Sequence, residues 1–158
     1  MTQHAQQSVA AAELPERGQP LAGGTFFARY WLGSQEHALI LPDIEFSVAW
    51  GEYGEDIAGA KSYSDGAANT RAMAEAGSQI AIKALELGAH IPSCLEAALM
   101  MTAKQEGLIT LREDRWHWLS TQYSAHYAYV MDFEDGWLGY VDKFYERLVR
   151  PVRSLPIR

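Results

Sequence analysis

Few side chains in this chain could do chemistry. Five histidines (His4, His37, His90, His117 and His126) and one cysteine, Cys94, are scattered over 158 residues. They form neither an H-E-x-x-H motif nor a Cys/His pair at metal-ligand spacing. A nucleophilic Cys94 would need a paired His; at the first turn of an expected helix it reads better as a buried structural thiol. His117, between Trp116 and Trp118, reads as a packed aromatic rather than a ligand. There is no Gly-x-Ser-x-Gly elbow, and the spaced glycines lack a phosphate-binding pattern. Asp132, Glu134, Asp135 and Asp142 are the candidates for a hard cation such as Ca²⁺, which needs several converging oxygens, and the first three crowd one turn. A solvated hairpin tip explains them as well. No catalytic residue, metal or cofactor is expected, and an enzyme is the least favoured class.

Recognition chemistry is better represented. Trp116–Tyr145 holds ten of the chain's 18 aromatic side chains. Two runs within it, Tyr127–Phe133 and Trp137–Val141, flank Glu134-Asp135-Gly136, a strong hairpin signal. Alternation predicts Tyr127, Tyr129, Met131 and Phe133 packed against helices, with Ala128, Val130 and Asp132 facing away. Trp118 is a core candidate. The aromatic surplus points to a binding surface, because Tyr and Trp offer large contact area at low entropic cost and can stack on sugar rings. The candidate ligand-binding residues are Gln122, Tyr123, Ser124, His126, Trp137, Tyr140, Lys143 and Tyr145.

These residues must be positioned by the elements around them. Residues 1–23 are polar, Ala/Gln-rich and broken by Pro15 and Pro20, and read as an extended or docking arm. The domain is expected over 24–158. Thr25–Leu32 and Glu36–Leu41 predict a hairpin around Gly33-Ser34, and Glu45–Trp50 a third strand. A helix is expected from Asn69 or Thr70 to Leu87, stopped by Gly88, with Ala72, Ala76, Ile80, Ala84 and Leu87 on one stripe. Ser93 and Glu96 form an S-x-x-E capping box for a second helix to Gln105, with Leu95, Leu99 and Thr102 inward. Ile109–Leu111, Trp116–Ser120 and Arg147–Val152 read as strands, the last limited by Pro151. The order predicts an α+β domain of two helices packed on small antiparallel sheets, with a loop-rich C-terminal half.

Composition narrows the classes. Residues 1–110 carry 6 basic and 13 acidic groups, residues 111–158 seven of each, and Gln35–Asp56 has six acids and no base. No basic patch offers itself to nucleic acid. No apolar run is long enough for a membrane span, and Met1–Gln19 lacks a signal peptide's basic start and apolar core. A single cysteine excludes an intrachain disulfide.

One resemblance draws on two blocks. His117-Trp118-Leu119-Ser120-Thr121-Gln122-Tyr123-Ser124, then Tyr127-Ala128-Tyr129-Val130-Met131-Asp132-Phe133, Gly136 and Val149-Arg150-Pro151-Val152-Arg153 resemble the C-terminal domain of the collagen-like adhesins. Ile91-Pro92-Ser93 with Glu96 resembles that family's Leu-Pro-Thr/Ser helix start. Together the blocks span about Gly88–Arg153. Leu119 stands where the family usually has Ser, and residues 1–65 carry no part of the likeness. The ending Leu155-Pro156-Ile157 resembles the phage-encoded branch. The resemblance implies a C-type lectin-like fold without the disulfides of vertebrate lectins. It implies a non-enzymatic virion protein, made in the host cytoplasm: a phage tail-fibre or receptor-binding tip on a host cell-surface glycan or protein. A homo-oligomer, with a trimer favoured, would be joined to other virion tail proteins through the N-terminal arm. The alternatives are a bacterial adhesion or carbohydrate-binding module, and a structural capsid or tail decoration protein.

Overall fold

The computed structural model describes residues 8–158. Nine strands and three α-helices form a mixed α+β fold with two mainly antiparallel sheets. The first sheet has the order β1-β2-β3-β9, with β1 Pro20–Leu21, β2 Gly24–Leu32, β3 Gln35–Pro42 and β9 Arg153–Pro156. The second has the order β4-β8-β5-β6-β7, with β4 Phe46–Ala49, β5 Trp116–Gln122, β6 Tyr127–Asp132, β7 Trp137–Asp142 and β8 Glu146–Val149. Among the strands of the described residues β5 and β8 pair parallel, meeting at His117 and Leu148, and the single bridge of Val9 with Ile157 is parallel too. Among the described residues no helix is long and apolar enough to cross a membrane.

The early hairpin forms as its β-rich runs predict, and its burial explains its composition. The first sheet is covered on both faces, so Ala38-Leu39-Ile40-Leu41 is buried without interruption. Leu39 and Leu41 face α3 (Cys94–Gln105), whereas Ala38 and Ile40 face a small cluster closed by Val9, Leu155 and Ile157. Phe26 and Phe27 enter opposite clusters by ordinary alternation, and the bulge between Phe26 and Ala28 lets Phe27 and the next residue, Ala28, both join the α3 cluster.

Much of the stretch read as an arm belongs to this sheet. Val9 N donates to Pro156 O, Arg158 N donates to Val9 O, and Pro20–Leu21 pairs with β2. Residues 8–23 therefore fold onto the body, because Val9 and β1 meet an apolar face and a strand edge that must be covered. Residues 1–7 of the expected arm lie outside the described residues.

The expected long helix is two. Helix α1 is Gly66–Glu75 and α2 is Gln79–Glu86. Gly77 adopts φ +92° and Ser78 N donates to Met73 O, a left-handed helix stop that only glycine enters freely. Ser78 then donates its hydroxyl to Trp50 O. Asp65 caps α1 by accepting from Ala68 N; Asn69 and Thr70 are buried inside it and bind Ser62 and Ile91 instead. The break turns Ala76 and Leu87 out to solvent while Ile80 and Ala84 stay in the core.

The capping box forms as its spacing predicts: Ser93 Oγ accepts from Glu96 N and Glu96 accepts from Ser93 N. The inward face of α3 is Cys94, Ala97, Met100, Met101 and Ala103, with Leu95 and Leu99 half-buried and Thr102 exposed. Ile109 and Leu111 are buried in the α3 cluster with Thr110 exposed between them, but the segment pairs with no strand among the described residues. The expected closing strand is shorter than Arg147–Val152: β8 stops at Val149 before Pro151, Val152 makes a single bridge with His90, and β9, beyond the expected range, closes the first sheet instead.

Candidate functional site

The alternation along β6 has the expected parity, but the second sheet is packed on both faces, so the set expected to face away from the helices is buried as well. Ala128 and Val130 face inward with Trp118, Trp50 and the helix pair α1/α2. Met131 and Phe133 face α3, while Tyr127 and Tyr129 on that same side are half-buried. Trp118 is fully buried and donates its indole N–H to Val48 O at 3.0 Å.

The remaining aromatic rings form a continuous belt. Tyr123 and Tyr140 stack face to face, centroids 3.8 Å apart and planes 6° from parallel. Tyr129 meets Tyr123 edge-on at 5.6 Å and Tyr63 at 6.5 Å. Tyr127 joins Tyr140 to His126, and His126 lies 4.7 Å from Tyr53. Tyr53 meets Phe144 at 5.2 Å, and Phe144 meets Tyr145 at 4.7 Å. The Arg147 guanidinium sits 5.0 Å from both the Tyr145 and Trp116 rings, and Trp116 lies 5.1 Å from Trp137. Seven of these rings (Tyr53, Tyr63, Tyr123, Trp137, Tyr140, Phe144 and Tyr145) are 46–54% exposed. Contiguous exposed rings of this kind mark an interaction surface; scattered ones do not.

The belt is rigid because its strands and turns are. A four-residue turn closes the hairpin, with Gly136 at φ +84° and Asp132 paired to Trp137. Asp132 Oδ1 accepts from Glu134 N and Asp135 Oδ1 from Trp137 N. These acids thus shape the turn. Among the described residues no three His, Cys, Asp or Glu side chains converge. Trp137 folds over Gly139, where any Cβ would come within 2.1 Å of its ring. Ser124 Oγ accepts from His126 N and Tyr127 N and fixes the loop that offers Tyr123 and His126.

Five of the eight candidate residues are brought together on the belt: Tyr123, His126, Trp137, Tyr140 and Tyr145. Ser124 supports it from the turn. Gln122 and Lys143 are not on the surface. Lys143 Nζ donates to Glu55 O at 2.7 Å and to Gln122 Oε1 at 2.6 Å, and lies 4.7 Å over the Trp50 ring. Gln122 also accepts from Ile57 N and donates to Ile57 O and Asp56. Both side chains are committed to holding the 51–61 loop against the sheet. Burial pushes the Lys143 ammonium down to about 8. Sequence reasoning missed Tyr53, Tyr63 and Phe144. Their signal was an aromatic in a Gly/Ser-rich or charged turn, with no periodicity to bury it.

Cys94 and His117 sit apart from this surface. Cys94 is buried and burial pushes its thiol up to about 11. Burial pushes the His117 imidazole down to about 4, and its ring packs edge-on against Phe133 at 4.9 Å.

A second buried cluster positions one end of the belt. Glu96, fully enclosed, accepts from Ser93 N at 2.9 Å, from His90 Nε2 at 3.2 Å and from the Tyr30 hydroxyl. Tyr30 also contacts Ser154 Oγ at 3.1 Å. Burial pushes the Glu96 carboxyl up, but His90, Ser93 and Tyr30 more than offset this and hold it below its ordinary value. The α3 start fixed in this way accepts the loop carrying Tyr63, through Leu95 N to Tyr63 O and Ser93 Oγ to Ser64 O.

No protein-family model matches the chain, and no curated protein matches it.

Proposed function

We propose that the protein is a non-enzymatic recognition module of C-type lectin-like fold, a phage tail-fibre or receptor-binding tip that grips the host cell surface through its aromatic belt. The observation that carries this reading is the belt itself: seven half-exposed rings linked through Tyr127, Tyr129, His126, Trp116 and the Arg147 guanidinium into one chain of contacts around the second sheet. Stacked phenol and indole rings present flat apolar faces with polar rims, which suit both pyranose rings and protein surfaces. The resemblance of Trp118–Ser124, Tyr127–Phe133 and Val149–Arg153 to the collagen-like adhesin C-terminal domain, and of Leu155-Pro156-Ile157 to its phage branch, supplies the virion setting. Val9 and Ile157 meet beside the first sheet and the belt lies mainly on the second, an arrangement that supports attachment on one side and recognition on the other. A trimer is the assembly this reading favours.

The test is binding of the purified protein to a panel of bacterial cells and to a glycan array, with and without EDTA. Saturable binding that Tyr123→Ala weakens, and that EDTA leaves unchanged, is the expected result. Absence of binding by a protein of defined oligomeric state would move the belt to an assembly interface, as in a capsid or tail decoration protein.

A further inference from the structure

We infer that β7 is a docking edge for an extended polypeptide strand, so that the belt's ligand is a protein segment added to the second sheet. This rests on the recognition role proposed above and names the chemistry of its ligand. Among the described residues β7 pairs only with β6. Lys143 N donates to His126 O, and that bond continues the register of Ala128 with Val141, Val130 with Gly139 and Asp132 with Trp137. Antiparallel parity then turns the backbone groups of Trp137, Gly139 and Val141 toward β6, and those of Leu138, Tyr140 and Asp142 outward.

The other sheet edges are managed differently. Val9 and Ala11 bond to Pro156 and Arg158 beside β9, β1 is only two residues long, and β4 is four residues long with α2 against it. By contrast β7 is six residues of continuous register with no bulge, no proline and no lysine, the devices that blunt an edge.

The belt wraps this edge from both sides. Tyr140, stacked on Tyr123, stands on one face; Trp137, laid over Gly139 against Trp116, stands on the other. An incoming strand points alternate side chains to the two faces, so each set would meet aromatic rings while its backbone satisfied the open edge. Charge selects the occupant. Glu134 and Asp135 precede β7, Asp142 ends it and Glu146 follows, whereas Lys143 is buried. A second copy paired antiparallel along β7 would bring the Asp142 end of each copy toward the Glu134-Asp135 turn of the other, acid against acid. The fitting partner is a segment of another protein with alternating apolar residues and Lys or Arg near its ends.

The experiment selects ten-residue peptides from a randomised display library on the full-length protein. The best peptide is then resynthesised with alternate backbone nitrogens methylated, in each of the two phases. The expected result is that one phase weakens binding about tenfold or more, by removing edge hydrogen bonds, and the other does not. The Tyr140 amide should exchange more slowly in the complex. Equal effects of both phases would overturn the inference, as would a selection that yields no peptide. If glycan or cell binding persists in that last case, the recognition role stands and only the strand ligand falls; if it does not, both fall. Self-association abolished by Tyr140→Lys would also overturn it, in favour of a second copy.

Discussion

Replacing Glu96 tests how the buried cluster supports the fold. Glu96→Ala would leave two enclosed donors, Ser93 N and His90 Nε2, without their acceptor, while Tyr30 keeps Ser154. Each stranded group costs about 1–3 kcal/mol, so the variant should lose about 3–5 kcal/mol, the range found when one member of a buried pair is removed. For a chain of this size that is about 10 °C in Tm. Glu96→Gln keeps an acceptor for Ser93 N and should cost only about 1–2 kcal/mol. The two also differ in acid. The Glu96 carboxyl is held low in the fold, so its contribution is fully present above its unfolded value of about 4.3 and is lost as pH falls through the folded one. Urea melts of wild type, Glu96→Ala and Glu96→Gln from pH 3 to 7 measure both effects, and the Gln variant should lack this acid-dependent component. A loss under about 1 kcal/mol for Glu96→Ala, or a Gln variant whose acid profile matches wild type, would refute the reasoning.

Three further outcomes are expected. Tyr123→Ala and Tyr145→Ala, at half-exposed belt positions, should leave the melting curve within a few degrees of wild type yet weaken cell binding about tenfold, read by flow cytometry with labelled protein. Unchanged binding in both would remove the belt from recognition. Trp118→Ala should destabilise by about 3–5 kcal/mol in urea denaturation, since a fully enclosed indole and its bond to Val48 are lost together. Burial brings the Lys143 pKa to about 8 against about 10.4 unfolded, so its own contribution to stability rises with pH across that window. It is read as the difference between wild type and Lys143→Met, because the raised Cys94 thiol acts in the opposite direction. Lys143→Met should flatten that rise in melts from pH 7.5 to 10.5.

Local signals in the sequence located most elements, and long-range partners account for the rest. Ser93 and Glu96 announced the α3 cap because a capping box is complete within four residues. The further duty of Glu96 was invisible, since Tyr30, His90 and Ser154 reach it from three other segments. Gln122 and Lys143 looked like surface residues because burying an ammonium is costly; Glu55 O, Gln122 itself and the Trp50 face make that burial tolerable. Period-two alternation gave the β6–β7 hairpin and the face of β6 that meets α3, but not the burial of its opposite face. It assumes one packed side, and here α3 lies against one face and α1/α2 against the other. Tyr53 and Tyr63 enter the belt through loops that bring them beside the hairpin.

The first sheet sets a schedule for synthesis. β3 is flanked by β2, made just before it, and by β9, made more than a hundred residues later. Val9 likewise finds its bonds at Pro156 and Arg158. As the chain leaves the ribosome, the early hairpin must wait with its β9 side unpaired until Arg153–Pro156 emerges. Segments that wait in this way are open to pairing with neighbouring nascent chains. The polar and acidic tips of that hairpin, Gln35-Glu36 at one end and Asp43 with Glu45 at the other, give the waiting strands charge that discourages it.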